Sequence, residues 1–201
     1  MSARTDARRA DLRQRLVDAA EARVRAGGLS TLRARDLAKE AGCAVGAIYN
    51  VFDDMTALGL AVNARTFARF GQSVRDALAA SGEQSPREEL KTMGRTYLNF
   101  AASDPYAWRA LFDIQMSDKQ DVPHWYVTEL GRLFTIIHGP LSRLRPDLPK
   151  AEIDLLTRAL FSSVHGIVLL GLERRLSAVP PDKIAAMIDR VLTDLPAEPC
   201  P

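Results

Sequence analysis

The sequence predicts an all-α protein with about nine helices. Apolar residues recur at helical spacing along nearly the whole chain, whereas the alternation typical of strands is almost absent. Capping residues, glycines and prolines separate these helical segments. The chain has 201 residues, of which 47% are hydrophobic and 26% charged, so it can form an apolar core and general disorder is not expected.

Three short helices are expected in the first fifty residues. The first carries an apolar stripe and ends at Gly27-Gly28, because consecutive glycines favour the end of a helix. Ser30 or Thr31 can cap the second helix, and Gly42 can end it. The third helix falls in the stretch that follows Gly42.

The later helices are marked by stronger start signals. Asp53 or Asp54 can cap a long helix that ends at Ser81-Gly82. The sequence "SPRE" from Ser85 is a capping box with proline at the first helical position, and Asp104-Pro105 repeats the cap-then-proline pattern.

Prolines also divide the C-terminal part of the chain. Pro140 predicts a kink or a break in the helix that contains it. A long helix is expected from Leu148 to Leu176, and Pro180-Pro181 separates it from a last helix.

The stretch "AGCAVGAIYNVF", Ala41 to Phe52, contains no charged residue in a chain that is 26% charged. A short helix after a tight glycine turn is the second element of a helix-turn-helix, which lies in the DNA major groove. Small residues allow close approach, and acidic residues would be repelled by phosphate. Gly46 and Ala47 suit this role, while Tyr49 and Asn50 offer hydrogen-bonding groups. The alternative is a short internal helix with small packing residues.

The charge distribution favours a polyanionic partner for the N-terminal part. Residues 1–52 contain ten Lys/Arg and six Asp/Glu, whereas the remainder contains seventeen and nineteen. A basic segment on a mildly acidic body is typical of nucleic-acid binding, although surface scatter can produce the same asymmetry.

Cysteine content and the N-terminus indicate a reducing, cytoplasmic compartment. Cys43 and Cys200 are the only cysteines, so a disulfide framework is not expected. The N-terminal residues are basic but contain no apolar segment, unlike a secretory signal. The uncharged run "FSSVHGIVLLGL" is too short to span a bilayer, so no membrane association is expected.

The segment "GLSTLRARDLAKEAGCAVGAIYNVFDDMTALGLAV", Gly28 to Val62, resembles the DNA-binding segment of TetR-family transcriptional regulators. The resemblance implies a dimer whose three N-terminal helices bind a near-palindromic operator and whose larger helical domain binds a small molecule and dimerises. The corresponding domains are 1–53 for DNA binding (motif about 33–52), 54–80 for a connecting helix, 81–196 for ligand binding and dimerisation, and 197–201 for a tail.

A weaker resemblance extends into the C-terminal part. The segments 97–112 and 164–176 look like a subclass of this family named for a Trp-His-Gly motif. Val164 replaces the tryptophan here, while His165 and Gly166 remain.

The resemblance and the charge pattern together suggest a set of DNA contacts. The candidates are Arg4, Arg8, Arg9, Thr31, Arg33, Arg35, Ala44, Val45, Ala47, Tyr49 and Asn50. Two positions depart from the family pattern. Met55 stands where relatives usually have lysine, and Ala44 stands where they offer a hydroxyl, so two phosphate anchors are missing. Asn50 could read adenine or merely end its helix, and the arginines could be solvated surface.

Candidate ligand-binding residues are the aromatic and histidine side chains of the C-terminal part. They are Tyr97, Phe100, Trp108, Phe112, Trp125, Phe134, His138, Phe161 and His165. Aromatic residues at helical spacing are more often core than ligand pocket, and a satisfied core histidine is the alternative for His138 and His165. Neither histidine has the neighbours of a metal site, so no metal and no cofactor is expected.

The penultimate helix carries two apolar stripes, which indicates burial on two sides. One side can face its own core and the other a second subunit, in a four-helix interface completed by the last helix. The candidate interface residues are Leu156, Leu160, Ile167, Leu170, Ile184, Ile188, Val191 and Leu195.

The leading hypothesis is a ligand-responsive transcriptional regulator, most often a repressor in this family. The sequence contains no phosphate-binding loop, nucleophile elbow, metal cluster or credible triad, so an enzyme is not expected. The alternative is a dimeric helical protein that binds small apolar or amphipathic molecules and has weak or lost DNA binding.

Overall fold

The computed structural model describes residues 3–114, 122–173 and 180–195. Within this part, nine α-helices and two short 3-10 turns form all the regular structure, and no strand occurs, which confirms the predicted class. The helices are α1 (Ala3–Gly27), α2 (Ala34–Glu40), α3 (Val45–Ile48), α4 (Met55–Ser81), α5 (Pro86–Ser103), α6 (Pro105–Asp113), α7 (His124–Leu144), α8 (Lys150–Leu172) and α9 (Ile184–Thr193).

The chain divides into two compact units. The first unit comprises residues 1–68 and 104–126, and the second comprises residues 69–103 and 127–201. Helix α4 therefore contributes to both units, and α6 clusters with the first unit although the sequence-based division assigns it to the C-terminal domain. The boundaries at residues 53 and 80 remain predictions.

Several helix ends follow the predicted local signals. The Asp54 carboxylate accepts a hydrogen bond from the Ala57 amide at 2.7 Å, so Asp54 caps α4. Gly82, with φ of 68°, follows the end of α4. The Ser85 hydroxyl accepts a hydrogen bond from the Glu88 amide at 3.3 Å, and α5 begins at Pro86 as predicted.

The predicted cap of α2 is wrong. Residues 29–31 form a 3-10 turn, and the N-cap of α2 is Arg33, whose side chain makes no capping bond. The Thr31 hydroxyl instead lies 2.7 Å from the Gly28 carbonyl oxygen and 3.1 Å from that of Arg23. Thr31 therefore stabilises the turn between α1 and α2.

Asp104 occupies the N-cap of α6 but does not cap it with its side chain. The buried carboxylate accepts a hydrogen bond from Arg25 Nε at 2.7 Å, which ties α6 to α1. Ala107, Trp108 and Ala110 of α6 are fully buried in the first unit. Asp104-Pro105 therefore marks the start of α6 as predicted, although the Asp104 carboxylate binds a residue 79 positions away instead of capping the helix.

Helices α7 and α8 differ from prediction in their bounds. Helix α7 continues through Pro140 to Leu144, so Pro140 does not break it. Helix α8 spans Lys150–Leu172 rather than Leu148–Leu176, and residues 174–176 lie outside the described residues.

Helix α8 is unusually apolar. Among the described residues it is the one helix whose length and composition would allow it to cross a membrane, and 28% of its most apolar window is buried inside the chain. The uncharged run at residues 161–172, which is too short to span a bilayer, forms the C-terminal half of this helix. Apolar helices that form the core of a protein have the same length and composition.

Helices α5, α8 and α9 form the core of the second unit. The buried side chains are Leu90, Met93, Tyr97, Ile153, Leu160, Val164, Val168, Ile184, Ile188 and Leu192. Arg95 and Asp189 join α5 to α9 through two hydrogen bonds of 3.0 and 2.6 Å. The glycines at positions 94 and 171 allow close approach, because a Cβ at either position would overlap an isoleucine of α9.

We predict that Gly171→Ala destabilises the second unit by about 1–3 kcal/mol, the usual cost of overpacking a core. The added Cβ would lie 2.6 Å from Ile184 Cγ1, so α8 and α9 would have to separate. Urea denaturation measures the change. Gly131→Ala is the control, because nothing lies within 4 Å of its new Cβ, and we expect up to about 1 kcal/mol of stabilisation there. Equal stability of wild type and Gly171→Ala would contradict this packing.

Candidate DNA-binding surface and ligand-binding cluster

Helices α2 and α3 of the first unit are joined by the predicted tight turn. Gly42 adopts φ of 64°, a conformation that side chains other than glycine rarely adopt, so the chain reverses at once after α2. Leu37, Ala38 and Ile48 lie in the core of the unit. Because Ile48 faces inward, the opposite side of α3 faces solvent.

The predicted DNA contacts lie on the outside of the first unit. The exposed members are Arg4, Arg8, Arg9, Arg33, Arg35, Ala44, Val45, Tyr49 and Asn50, while Thr31 and Ala47 are partly buried. Tyr49 is 50% exposed, so its ring does not lie in the core of the unit. We call the exposed side of α3 together with Arg33 and Arg35 the DNA-binding surface; its role stays a prediction.

The acidic residues of α2 are held by an arginine of α1. Arg23 Nη2 lies 2.6 Å from Glu40, and Arg23 Nη1 lies 3.3 Å from Asp36. The hydrogen bond from Arg23 holds the pKa of Glu40 below its ordinary value, although desolvation opposes this shift. Arg23 therefore offsets part of the negative charge beside the DNA-binding surface. This arrangement is not evident from the sequence, because the partners are 13 and 17 residues apart.

Other arginines of the first unit have structural partners as well. Arg65 of α4 lies 2.6 Å from Asp18 and 2.9 Å from Glu21, both on α1. Arg15 donates to the Ala41 carbonyl at the end of α2. Arg33 and Arg35, by contrast, form no ion pair with another described residue, so their charges are available to a polyanion.

Met55 does not extend outward from the start of α4. Its side chain is partly buried and packs against the core of the first unit. Between Lys39 and Arg65 the sequence contains no lysine or arginine. Cations near α3 must therefore come from other parts of the chain.

An aromatic cluster lies in the second unit. The Phe161 and His165 rings of α8 stack at 5.7 Å and 19°, and Phe134 of α7 meets Phe161 edge-on at 5.4 Å. Tyr97 of α5 lies 5.9 Å from Phe161 by ring centroids. Phe70, which the sequence analysis did not select, connects Tyr97 and Phe100 at 5.5 and 5.3 Å. We call these six residues the aromatic cluster.

The polar point of this cluster is a tyrosine–histidine pair. The Tyr97 hydroxyl lies 2.7 Å from His165 Nδ1. The imidazole of His165 is partly buried. Desolvation disfavours the charged ring, so the pKa of His165 lies below its usual value. The lowered pKa favours the neutral ring of His165, and the other members of the cluster are uncharged side chains.

The remaining predicted ligand residues lie elsewhere. His138 Nδ1 is 3.1 Å from the Ser142 hydroxyl, and its Nε2 is 3.4 Å from Asp154. Trp108, Phe112 and Trp125 belong to the first unit, where Trp108 is buried and the other two are exposed. No group of three or more potential metal ligands occurs within the described residues.

The predicted dimer residues divide into three classes of burial. Leu160, Ile184 and Ile188 are buried in the core of a single chain, so their side chains are already covered. Leu156, Ile167, Val191 and Leu195 are partly buried, and Leu170 is exposed. Large exposed side chains that the sequence analysis did not select are Leu155 on α8 and Met187 on α9. Leu155, Leu170 and Met187 are thus the most open large apolar side chains among the described residues of α8 and α9.

The fold and the helix-turn-helix define the class of tetracycline repressor-like proteins. A family model for the tetracyclin repressor-like C-terminal domain matches residues 90–195, which is more than half of the chain. The chain therefore belongs to the TetR family, as its N-terminal residues predicted. The match does not test the Trp-His-Gly subclass, which stays a prediction. No curated protein matches the sequence.

Solved structures of low sequence identity share the fold. A TetR-family transcriptional regulator from Streptomyces coelicolor is 21% identical, with a TM-score of 0.63 over 90% of this chain and 95% of that chain. RolR in complex with resorcinol is 22% identical, with a TM-score of 0.68 over 92% and 89%. FadR from Bacillus subtilis in complex with stearoyl-CoA is 15% identical, with a TM-score of 0.63 over 90% and 95%.

Proposed function

We propose that the protein is a cytoplasmic, dimeric transcriptional regulator that binds a near-palindromic operator through α3. One observation carries this proposal: an exposed helix without charged side chains lies beside Arg33 and Arg35, which form no ion pair with another described residue. The Arg23 contacts to Asp36 and Glu40 reduce the repulsion that phosphate would otherwise meet. Phosphate contacts supply affinity, and groups at the groove supply specificity.

Dimerisation through α8 and α9 is part of the proposal. Leu155 and Leu170 of α8 are 62% and 40% exposed, and Met187 of α9 is 37% exposed. Only 28% of the most apolar window of α8 is buried inside the chain, and an extended apolar surface commonly marks an interaction site. A second copy would cover the part of α8 that its own chain leaves open. Two-fold symmetry would also present two α3 helices to half-sites one helical turn apart, about 34–36 Å.

A small apolar or amphipathic molecule is the proposed effector, with the aromatic cluster as its site. The aromatic rings offer apolar and stacking surface, and the uncharged Tyr97–His165 pair offers hydrogen bonding without a formal charge. RolR and FadR share the fold, and their structures are complexes with resorcinol and stearoyl-CoA, respectively. Binding would shift the population toward a spacing of the α3 helices that releases the operator, so the regulator would act as a repressor.

We predict that Tyr49→Ala weakens operator binding by about 1–3 kcal/mol, the usual value of one base or phosphate contact. Tyr49 is half exposed on the DNA-binding surface, so the substitution should leave the melting temperature unchanged. A gel shift against the DNA upstream of the protein's own coding sequence measures the affinity, with a scrambled duplex as control. Unchanged affinity with an unchanged melt would remove Tyr49 from the interface. Failure of the wild type to bind any duplex would favour the alternative of a binding protein without DNA affinity.

A further inference from the structure

Arg13 of α1 lies against the residue that follows the α3 turn. Its guanidinium carbon is 5.0 Å from the centre of the Phe52 ring, and the Arg13 side chain is exposed. Phe52 itself is only 4% exposed, and its amide donates to the Ile48 carbonyl at 2.9 Å. The buried ring therefore holds the guanidinium at the C-terminal edge of α3.

The charge of Arg13 is not neutralised by another described residue. Arg15, Arg23 and Arg65 of the same unit each bind a carboxylate, whereas Arg13 has neither an ion pair nor a hydrogen bond among the described residues. A guanidinium has five N–H donors, and stacking on a ring leaves its edges open to an oxyanion.

Arg13 also places a positive charge beside a stretch of the chain that contains no lysine or arginine. The chain has no cation of its own from residue 40 to residue 64, a span that contains α3 and the start of α4. Asp53 and Asp54 lie in this span and would oppose the approach of phosphate. Arg9, one turn earlier on the same side of α1, lies about 6 Å along the helix axis from Arg13, by the usual rise of an α-helix.

We propose that Arg13, positioned by Phe52, binds a DNA phosphate beside the end of α3. The inference rests on the proposed DNA-binding function and adds a contact that the sequence analysis did not select. The competing interpretation is that Arg13 only covers the Phe52 ring. The two differ in one measurable respect, because only a phosphate contact releases counterions and so affects the salt dependence of binding.

Two variants distinguish the charge of Arg13 from the packing of its side chain over the Phe52 ring. Arg13→Met removes the charge but leaves a flexible side chain that can cover the ring, and Arg13→Lys keeps the charge. Arg132→Met is the matched control, since Arg132 is 70% exposed on α7 in the second unit. Affinity is measured by fluorescence anisotropy from low to high salt, on the upstream duplex and on a scrambled duplex. Thermal melts check folding.

We expect Arg13→Met to reduce the slope of log affinity against log salt by about 0.9 per subunit, or roughly 1.8 for a dimer. The reduction should be the same on both duplexes, because phosphates carry no sequence information. Arg13→Lys and Arg132→Met should keep the wild-type slope.

A folded Arg13→Met protein with the wild-type slope would overturn the inference, and so would a lower melting temperature with an unchanged slope. In both cases the proposed DNA-binding function would stand, because wild-type binding is measured in the same titration. Absence of binding by the wild type would overturn the proposed function and this inference together. An equal loss of slope in Arg132→Met would also overturn it, since the effect would then follow net charge rather than position.

Discussion

Replacing Gly46 with glutamate should abolish operator binding while the first unit stays folded. Gly46 is exposed on α3, and a Cβ added there meets nothing within 4 Å. An acid in the first turn of a helix is not destabilising, so the melting temperature should not fall. Each subunit would bring a carboxylate to the DNA-binding surface, and like charges placed together at an interface cost several kcal/mol. We expect a loss of about 100-fold or more.

The measurement is anisotropy with the upstream duplex, combined with a thermal melt of each variant. Gly131→Glu adds the same charge to the second unit, where a Cβ also meets nothing within 4 Å, and should leave affinity nearly unchanged. Gly46→Ala tests how closely DNA approaches, because it adds a methyl group without charge. If Gly46→Glu binds as the wild type does, α3 does not enter the groove, and the DNA-binding surface has to be sought elsewhere.

The sequence predicted turns and helix ends best where they depend on neighbouring residues. The glycine turn at Gly42, the Asp54 cap and the end of α4 near Gly82 depend on residues within one turn of each other. These signals helped to place the helix-turn-helix, whereas the family was identified from the resemblance of residues 28–62 to its DNA-binding segment. Thr31 does not cap α2, because its hydroxyl bonds to the Gly28 and Arg23 carbonyl oxygens. Asp104 occupies the N-cap of α6, but its carboxylate binds the distant Arg25.

The predicted sites illustrate a second limit. An apolar stripe shows that a helix face is covered, but not whether its own chain or a partner covers it. Ile184 and Ile188 have the spacing of an interface and lie instead in the core of the second unit. The same ambiguity affects charge, since Arg13 and Arg23 look alike in the sequence, and only the fold shows which one is paired.

Asp substitutions at neighbouring positions of α9 should separate folding from dimerisation. Ile188 is fully buried, and its Cγ2 would lie 2.7 Å from a Cβ placed on Gly94. Ile188→Asp places an unpaired carboxylate in the core, a change that costs about 3–5 kcal/mol in comparable cases. Total stability is typically about 5–15 kcal/mol, so we expect loss of cooperative folding in the second unit or a large fall in melting temperature.

Met187→Asp, by contrast, changes an exposed side chain on the next residue of the same helix, and Leu155→Asp does the same on α8. If a second copy covers these residues, each variant should sediment as a monomer at micromolar concentration. Its helical circular dichroism should match that of the wild type, and its urea midpoint should be that of a folded single chain. A folded, monomeric Ile188→Asp would show that Ile188 meets the partner after all. Dimeric Met187→Asp and Leu155→Asp would place the interface elsewhere, and binding of wild type to lipid vesicles would then identify a membrane as the cover of α8.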